Sequence, residues 1–244
     1  IIATSWDATE KIVEEVIATG KPILVEKPVA LTSNRLREII KSSERYEQNV
    51  LVGYNRRFCD FIPYLKKELS QQKIFSISVV CPESLNRVTN KLGPKVGKYF
   101  LVFMTSHCLD LVHYLVGNAT IVWSVKQFGN NKEIAAYNAI LTANNGTLPI
   151  YLNITFGTPA VTSITFYCEE KIYELAPIEE LRVYEGVKIV EPTSADTIRR
   201  YCPNIVETLR VNTEFKPGFL GQFMYFLTKY FCGDEPLEAG CTLQ

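Results

Sequence analysis

The amino-acid sequence predicts an α/β region followed by an α+β region built on an open β-sheet. In residues 1–57, short apolar runs alternate with segments of helical periodicity. From Ala119 onward, strand-like segments dominate and turn-forming residues separate them. We therefore predict a parallel sheet covered by helices in the first region, and a largely antiparallel, open sheet with flanking helices in the second.

The first region has the order strand, helix, strand, helix, strand. Its strand-like runs are IIAT, PILVE and VLVGY, and the helical segments between them are DATEKIVEEVIATG and TSNRLREIIKSSERYEQ. Asp7 is a candidate cap for the first helix, which Gly20 can end, and Thr32 or Ser33 is a candidate cap for the second. Segments of these lengths build right-handed βαβ units, which predicts a parallel sheet.

The second region is predicted to begin with a helix at residues 60–71 and the strand FSISVVCPE. In LPIYLNITF, Ile150, Leu152 and Ile154 alternate with polar or amphipathic residues, as expected for a sheet with two different faces. The segment GFLGQFMYFLTKYFCG returns to a helical period. The other predicted strands are TIVWSVKQF, IAAYNAILTA, SITFYCEE, KIYELAP and LRVYEGVKIVEP.

Composition and charge exclude several classes of function. Lys plus Arg equals Asp plus Glu at 26 each, so no net charge draws the chain to nucleic acid or to an anionic membrane. His107, Asp110 and His113 interrupt the most apolar segment, which argues against a membrane span. The seven cysteines form no CxxC pair and no cluster with zinc spacing. We expect free thiols, no metal site and a cytoplasmic protein.

Charged residues stand directly after an apolar strand in the stretch GKPILVEKPVALT. Glu26 and Lys27 end the run PILVE, and Pro28 turns the chain out of the sheet. A polar turn stopped by proline is one interpretation. The other is a ligand site, because open parallel sheets bind ligands beyond the carboxyl ends of their strands. The flanking helices favour the ligand site.

Four stretches together resemble the Gfo/Idh/MocA family, named after glucose-fructose oxidoreductase, inositol dehydrogenase and MocA. They are ATSWDAT, GKPILVEKPVALT, VGYNRRF and SHCLDLVHYLVG. The resemblance implies that residues 1–57 are the C-terminal part of a Rossmann dinucleotide-binding domain. Residues 58–244 would then form the substrate and oligomerisation domain, with homo-oligomers formed through the open sheet. We also expect the chain to be truncated at both ends.

The resemblance implies a parent protein that uses NAD or NADP. Such enzymes transfer hydride between nicotinamide and a hydroxyl or keto group of a sugar, cyclitol or sugar nucleotide. Their glycine-rich pyrophosphate turn precedes the segment with which this chain begins, and the sequence holds no GxGxxG. We therefore expect residues 1–244 alone to bind dinucleotide poorly. The cofactor residues implied are Thr4, Ser5, Trp6, Glu26, Lys27, Pro28 and Asn55.

Lys27, His107 and Asp110 are the candidate catalytic residues. Hydride transfer from an alcohol requires a base for the hydroxyl proton and a positive group for the developing alkoxide. We assign the second role to Lys27 and the first to His107. If SHCLDLVHYLVG is helical, His107 and Asp110 share one face and His113 points away from it, so we interpret His113 as a packing residue.

Phe103 is a departure from the family pattern. Many members carry an Asp four residues before the histidine, where it can orient the imidazole, whereas phenylalanine can neither accept a proton nor hold the ring by a hydrogen bond. Either His107 acts with Lys27, helped by Asp110, or this branch has lost turnover. The second case predicts a non-catalytic sensor that binds a dinucleotide or sugar.

The stretch VGYNRRF supplies the candidate substrate residues. Tyr54, Arg56 and Arg57 follow a strand at the same predicted sheet edge as Lys27. A solvated basic turn is an equal alternative. A guanidinium at the site would suit a phosphate or carboxylate on a sugar-like substrate.

Overall fold

The computed structural model of the chain describes residues 1–43, 49–84, 89–90, 93, 99–130, 133–232 and 239–243. The chain divides into two compact units. Unit 1 comprises Ile1–Asp60, Ser84–Tyr114 and Asn212–Gln244, and unit 2 comprises Phe61–Glu83 and Leu115–Val211. The domain boundary after residue 57 stays a prediction. Unit 1 differs from the predicted first domain because it also contains Ser84–Tyr114 and Asn212–Gln244.

The helices and strands alternate in unit 1 and cluster by type in unit 2. In chain order they are α1 (Trp6–Ile17), β1 (Ile23–Val25), α2 (Ser33–Ser43), β2 (Val50–Val52), a 3₁₀-helix (Asn55–Phe58), α3 (Ile62–Gln71), β3 (Ile74–Glu83), α4 (Met104–Val116), β4 (Thr120–Phe128), β5 (Ile134–Ala143), β6 (Leu148–Phe156), β7 (Ser163–Cys168), β8 (Lys171–Leu175), β9 (Glu180–Val190), β10 (Arg200–Arg210) and α5 (Phe219–Leu227), which a π-helical turn (Thr228–Cys232) continues.

The parallel sheet predicted for the first region is present in unit 1. β1 pairs in parallel with β2, and Ile2 makes a parallel bridge to Val25 on the other side of β1. The residues that pack between this sheet and its helices are apolar and buried, as the covered faces of a parallel sheet require. They include Val13, Ile17, Val25, Ile39, Val50 and Val52.

The helix caps confirm one prediction and correct another. The backbone N–H of Arg35 donates to Thr32 Oγ1 at 3.2 Å, so Thr32 caps α2 as predicted. The Asp7 cap was wrong, because the Ser5 carbonyl already accepts from the Ala8 and Thr9 amides and α1 therefore begins at Trp6. The last five residues of the predicted second helix, 44–48, lie outside the described residues.

Unit 2 contains the predicted open sheet. Its strand order is β10-β9-β8-β7-β3-β6-β5-β4, and all neighbours are antiparallel except β3 and β6. The helix α3 is held to the sheet by Tyr64, which donates to Glu207 at 2.6 Å, and by Glu68, which accepts from Tyr173 at 2.9 Å. The fold class predicted from the sequence is confirmed.

The two faces of this sheet differ as the sequence predicts. Ile150, Leu152 and Ile154 are buried on one face, whereas Tyr151 on the same strand is exposed on the other. Trp123 shares that second face and is exposed as well. Among the described residues, no helix is long and apolar enough to cross a membrane.

Candidate functional site

The carboxyl ends of β1 and β2 meet in unit 1. Val25 lies opposite Val52, so Glu26 and Gly53 leave the sheet side by side, and the Gly53 amide donates to the Val25 carbonyl at 2.7 Å. A Cβ on Gly53 would lie 3.1 Å from Glu26 Cα, closer than ordinary contact. The residues after the two strands therefore form one edge of the site.

Lys27 is tied to the start of α4. Its ammonium donates a hydrogen bond to the backbone carbonyl of Phe103, and Nζ lies 5.8 Å from the centroid of the Phe103 ring. Phe103 directly precedes α4, one helical turn ahead of His107. Phe103 occupies the position at which the family pattern has a carboxylate. It still binds the Lys27 ammonium, but through its backbone oxygen.

His107 lies in α4 in a site that disfavours its charged form. Its ring meets the ring of Tyr54 edge-on, with centroids 5.7 Å apart, and Nδ1 is buried without a hydrogen-bond partner among the described residues. Burial lowers the pKa of His107 to about 3, and the charges of Lys27, Arg56 and Lys216 add to the effect. The imidazole is therefore neutral near pH 7.

Lys216 is a site residue that the sequence analysis missed. Asn55 Nδ2 donates to the Pro217 carbonyl at 2.7 Å, which joins the segment before α5 to the 3₁₀-helix. Gly218 follows Pro217 in this junction and has a φ of +75°. A Cβ at this position would lie 1.9 Å from the backbone carbonyl oxygen of Asn55. The sequence Lys-Pro-Gly before a helical segment is a turn signal, but nothing in the sequence indicates which strand end this turn contacts.

Glu26 is the acidic group of the site. Burial raises its pKa, and the charges of Lys216 and Lys27 oppose the rise. Lys216 and Lys27 thus interact with both the carboxyl of Glu26 and the imidazole of His107. Glu26, Lys27, His107 and Lys216 form a cluster in unit 1, which we call the imidazole site.

Arg57 and Asp110, for which the sequence suggested separate roles, contact each other. Arg57 Nε and Nη2 donate to the two Asp110 oxygens at 2.8 and 2.6 Å, and the side chains are only 8% and 7% exposed. The guanidinium also stacks on Tyr114 at 5.0 Å and donates to the Gly240 carbonyl at 3.3 Å. We call this arrangement the α4 ion pair.

The remaining sequence candidates lie at or near the imidazole site, except three residues at the start of α1. Tyr54 and Arg56 reach His107, and Pro28 follows Lys27 after β1. Thr4 and Ser5, by contrast, make their hydrogen bonds to Thr9 at the start of α1, and Trp6 is the first residue of that helix. The cofactor contact expected for these three residues stays a prediction.

A cavity of about 700 Å³ in unit 1 lies beside the α4 ion pair. Neither Lys27 nor His107 lines this cavity, so we place the candidate chemistry at the imidazole site instead. The polar residues that line the cavity are Thr32, Ser33, Tyr54, Arg57, Ser106, Asp110, His113 and Thr242. His113 thus faces a different space from His107, as the helical spacing predicts.

The residues after β1 and β2 fit the nicotinamide end of a dinucleotide. The observation that supports the fit is the buried Nδ1 of His107, a hydrogen-bonding group left for a ligand at the carboxyl edge of a parallel sheet. Glu26, Lys27 and Asn55 are the polar side chains that would hold it. The sequence contains no glycine-rich turn that could bind the pyrophosphate of the dinucleotide.

In both sequence and fold, the chain is similar to known dehydrogenases and oxidoreductases. The chain is 25% identical over 162 residues to an inositol 2-dehydrogenase of Rhizobium meliloti, which is 63% of this chain and 49% of that protein. A Gfo/Idh/MocA family oxidoreductase from Vibrio cholerae superimposes with a TM-score of 0.63 at 14% identity, covering 98% of this chain and 71% of that one. Curated relatives and solved structures thus relate the chain to the Gfo/Idh/MocA oxidoreductases.

A further solved structure of the same fold contains bound ligands. A 3-ketoreductase from Actinomadura kijaniata, in complex with NADP and TDP-benzene, superimposes with a TM-score of 0.65 at 12% identity, covering 97% of this chain and 71% of that one. No family model matches the sequence. The chain spans about half the length of the curated dehydrogenase it matches.

Proposed function

We propose that the protein is an NAD(P)-dependent oxidoreductase that transfers hydride between nicotinamide and a hydroxyl or keto group of a sugar, cyclitol or sugar nucleotide. The observation that carries this proposal is the approach of Lys27 to His107 across a long sequence separation. Their convergence at the carboxyl edge of a parallel sheet is the arrangement that such chemistry needs. The dehydrogenases among the relatives support it.

His107 and Lys27 have complementary roles in this proposal. The neutral imidazole accepts the substrate hydroxyl proton at Nδ1, the ring nitrogen without a partner among the described residues. The Lys27 ammonium stabilises the negative charge that develops on the substrate oxygen. Tyr54 packs against the edge of the imidazole and limits its rotation. When bound, the nicotinamide supplies the hydride acceptor or donor.

The remaining expectations are part of the same proposal. Glu26, Pro28 and Asn55 would line the nicotinamide end of NAD or NADP, while Arg56 would face the substrate. The exposed face of the unit 2 sheet would join copies of the protein, because an apolar face such as that of Trp123 and Tyr151 is a candidate interface. A cytoplasmic location stays a prediction.

A sensor without turnover is the second candidate function. Three observations favour it: Phe103 cannot orient the imidazole, Lys27 is hydrogen-bonded to the Phe103 backbone, and the pKa of His107 lies near 3. A base of such low pKa accepts a proton weakly near pH 7, because general bases work best when their pKa is close to the operating pH. Such a site could still bind a dinucleotide or a sugar.

The test is turnover by the complete protein, followed through the absorbance of reduced nicotinamide with a panel of sugars, cyclitols and sugar nucleotides. An oxidoreductase turns over at least one of them. Lys27→Ala and His107→Ala should each lower kcat by about 10²-fold or more, as expected for loss of acid/base or electrostatic assistance. His113→Ala, a histidine of the same helix outside the imidazole site, is the matched control and should retain activity. Cofactor binding without turnover of any substrate would instead favour the sensor.

A further inference from the structure

We propose that Ser106 is a positioning residue of the imidazole site. Its hydroxyl takes over the backbone carbonyl of Phe103 when the Lys27 ammonium turns from that carbonyl to a ligand. This inference rests on the proposed function, in which Lys27 stabilises negative charge on a substrate oxygen. It assigns a role to a residue that the sequence analysis left without one.

The Phe103 carbonyl is within reach of two side-chain donors. The Lys27 ammonium donates to its oxygen, and the Ser106 hydroxyl donates to the same oxygen at 2.9 Å. That hydroxyl also lies 3.0 Å from the Val102 carbonyl oxygen. A serine hydroxyl has one proton, so it serves one of the two carbonyls or is shared between them. Its proton can therefore turn from Val102 to Phe103 by rotation of the O–H bond alone.

The shared carbonyl lies where α4 begins. The helix starts at Met104, so Phe103 directly precedes the turn that carries His107. A carbonyl shielded from water is costly when it loses its donor, and the loss here would fall on that first turn. Ser106 is the neighbour of His107 in the same turn. Its hydroxyl can thus hold the start of α4, and with it the imidazole, in place of a donor from a distant segment.

The proposed reaction makes this second donor useful. An ammonium has three protons in fixed tetrahedral directions, and one of them points to the Phe103 carbonyl. Lys27 keeps that bond only if the substrate oxygen lies along another N–H direction. In every other geometry the ammonium must rotate away from the carbonyl. Ser106 lowers the cost of this rotation because its hydroxyl replaces the ammonium as donor.

A serine of α2 provides the matched control. Serine hydroxyls in helices commonly bond to a carbonyl three or four residues back without a functional role. Ser42 has this arrangement in unit 1, since its hydroxyl donates to the Ile39 carbonyl at 2.8 Å. Its acceptor belongs to a different helix from the carbonyl that holds Lys27. Loss of the Ser42 hydroxyl therefore measures the local effect of such a bond alone.

The first experiment is a double-mutant cycle that does not require turnover. It follows unfolding of the chain in urea through Trp6 fluorescence in a Trp123→Phe background, for Lys27→Met, Ser106→Ala and both together. Each single variant leaves the carbonyl one donor, whereas the double variant removes both. The double variant should raise the unfolding equilibrium constant about tenfold beyond the product of the single effects, as expected for a shielded carbonyl left unpaired. The cycle of Lys27→Met with Ser42→Ala should show no such excess.

The second experiment measures kinetics of the complete protein. Ser106→Ala should lower kcat about tenfold, which corresponds to one hydrogen bond, and leave the Kd of NADH or NADPH unchanged. Ser106→Thr should restore kcat, because a threonine hydroxyl in a helix reaches the same carbonyls. Ser42→Ala should retain full activity.

Three outcomes would overturn the inference: purely multiplicative effects of Lys27→Met and Ser106→Ala on unfolding, an unchanged kcat in Ser106→Ala, or a loss of kcat that Ser106→Thr does not restore. Failure of the proposed function has a different signature. In that case no substrate is turned over, and the unfolding cycle alone decides whether Ser106 replaces Lys27 at the carbonyl.

Discussion

Two groups of polar residues meet α4 one helical turn apart, at His107 and at Asp110, and they differ in whether the residue on α4 has a hydrogen-bond partner. In the α4 ion pair, Arg57 and Asp110 satisfy each other through two hydrogen bonds and are almost completely buried. In the imidazole site, the charges of Lys27, Arg56 and Lys216 act on His107, and Nδ1 of His107 has no partner in the described part of the chain. The first group has the character of a structural element, whereas the second contains a buried nitrogen that a ligand could satisfy.

This difference can be tested because tryptophan reports on each unit separately. The chain has two tryptophans, Trp6 in unit 1 and Trp123 in unit 2. In a Trp123→Phe background, the fluorescence of Trp6 reports unfolding of unit 1. The stability predictions for unit 1 below refer to this signal in urea.

The largest effect is expected from breaking the α4 ion pair. Arg57→Met leaves the Asp110 carboxylate buried without its partner, which should cost about 3–5 kcal/mol of unfolding free energy. The double variant Arg57→Met, Asp110→Leu removes both charges and should recover most of that loss. If both variants are equally stable, and as stable as the parent, the pair is not a structural element.

The next effect is a pH dependence of stability from His107. Its folded pKa of about 3 lies below the unfolded value of 6.5, so the folded state binds fewer protons and stability falls as pH drops below 6.5. Each pH unit should cost about 1.4 kcal/mol, or about 2.7 kcal/mol by pH 4.5. His107→Gln should remove this part of the slope. A slope unchanged by the substitution would contradict the burial of the imidazole.

A smaller effect is expected at the junction that positions Lys216. Gly218→Ala combines a positive φ with a Cβ only 1.9 Å from the Asn55 oxygen, which should cost about 2 kcal/mol or more. Gly186→Ala in unit 2 is the matched control, read from Trp123 in a Trp6→Phe background. Gly186 has φ +68° but open space where a Cβ would lie, so this substitution should cost about 1 kcal/mol. Equal costs at the two glycines would mean that the contact with Asn55 is unimportant.

The smallest effect is expected away from both groups. Thr32→Ala removes the side-chain acceptor that caps α2 and should cost about 1 kcal/mol. Thr32→Ser retains the hydroxyl and should be close to neutral. This pair calibrates the assay: a loss at Thr32 as large as that of Arg57→Met would show that unit 1 responds alike to any substitution.

The secondary structure of unit 1 was predictable because it depends on local patterns. Apolar runs of strand length alternate with helical periodicity, and glycine and hydroxyl residues mark the ends, so β1, β2, α1 and α2 follow from the sequence. The open sheet of unit 2 was predictable for the same reason, from the alternation in residues such as Ile150 and Tyr151. Resemblance to a family added the positions of Lys27 and His107.

The pairing of side chains could not be predicted, because periodicity shows which face a residue occupies but not what lies opposite. Helical spacing places Asp110 on the face of His107, yet its partner is Arg57, which follows β2. Lys216 reaches the site through a turn far along the chain, held by Asn55. Only the three-dimensional contact of two distant segments reveals either arrangement.

The most direct test of the account is the pKa of His107, measured from its ring resonances by NMR in a His113→Gln background, where a single histidine remains. We predict a pKa far below 6.5, near 3, and a rise in Lys27→Met, because the Lys27 charge acts on the imidazole. Lys21→Met, which removes another lysine near the start of β1, should leave the pKa of His107 unchanged. A pKa of about 6.5 that does not respond to Lys27→Met would contradict the convergence of Lys27 and His107 on one buried site.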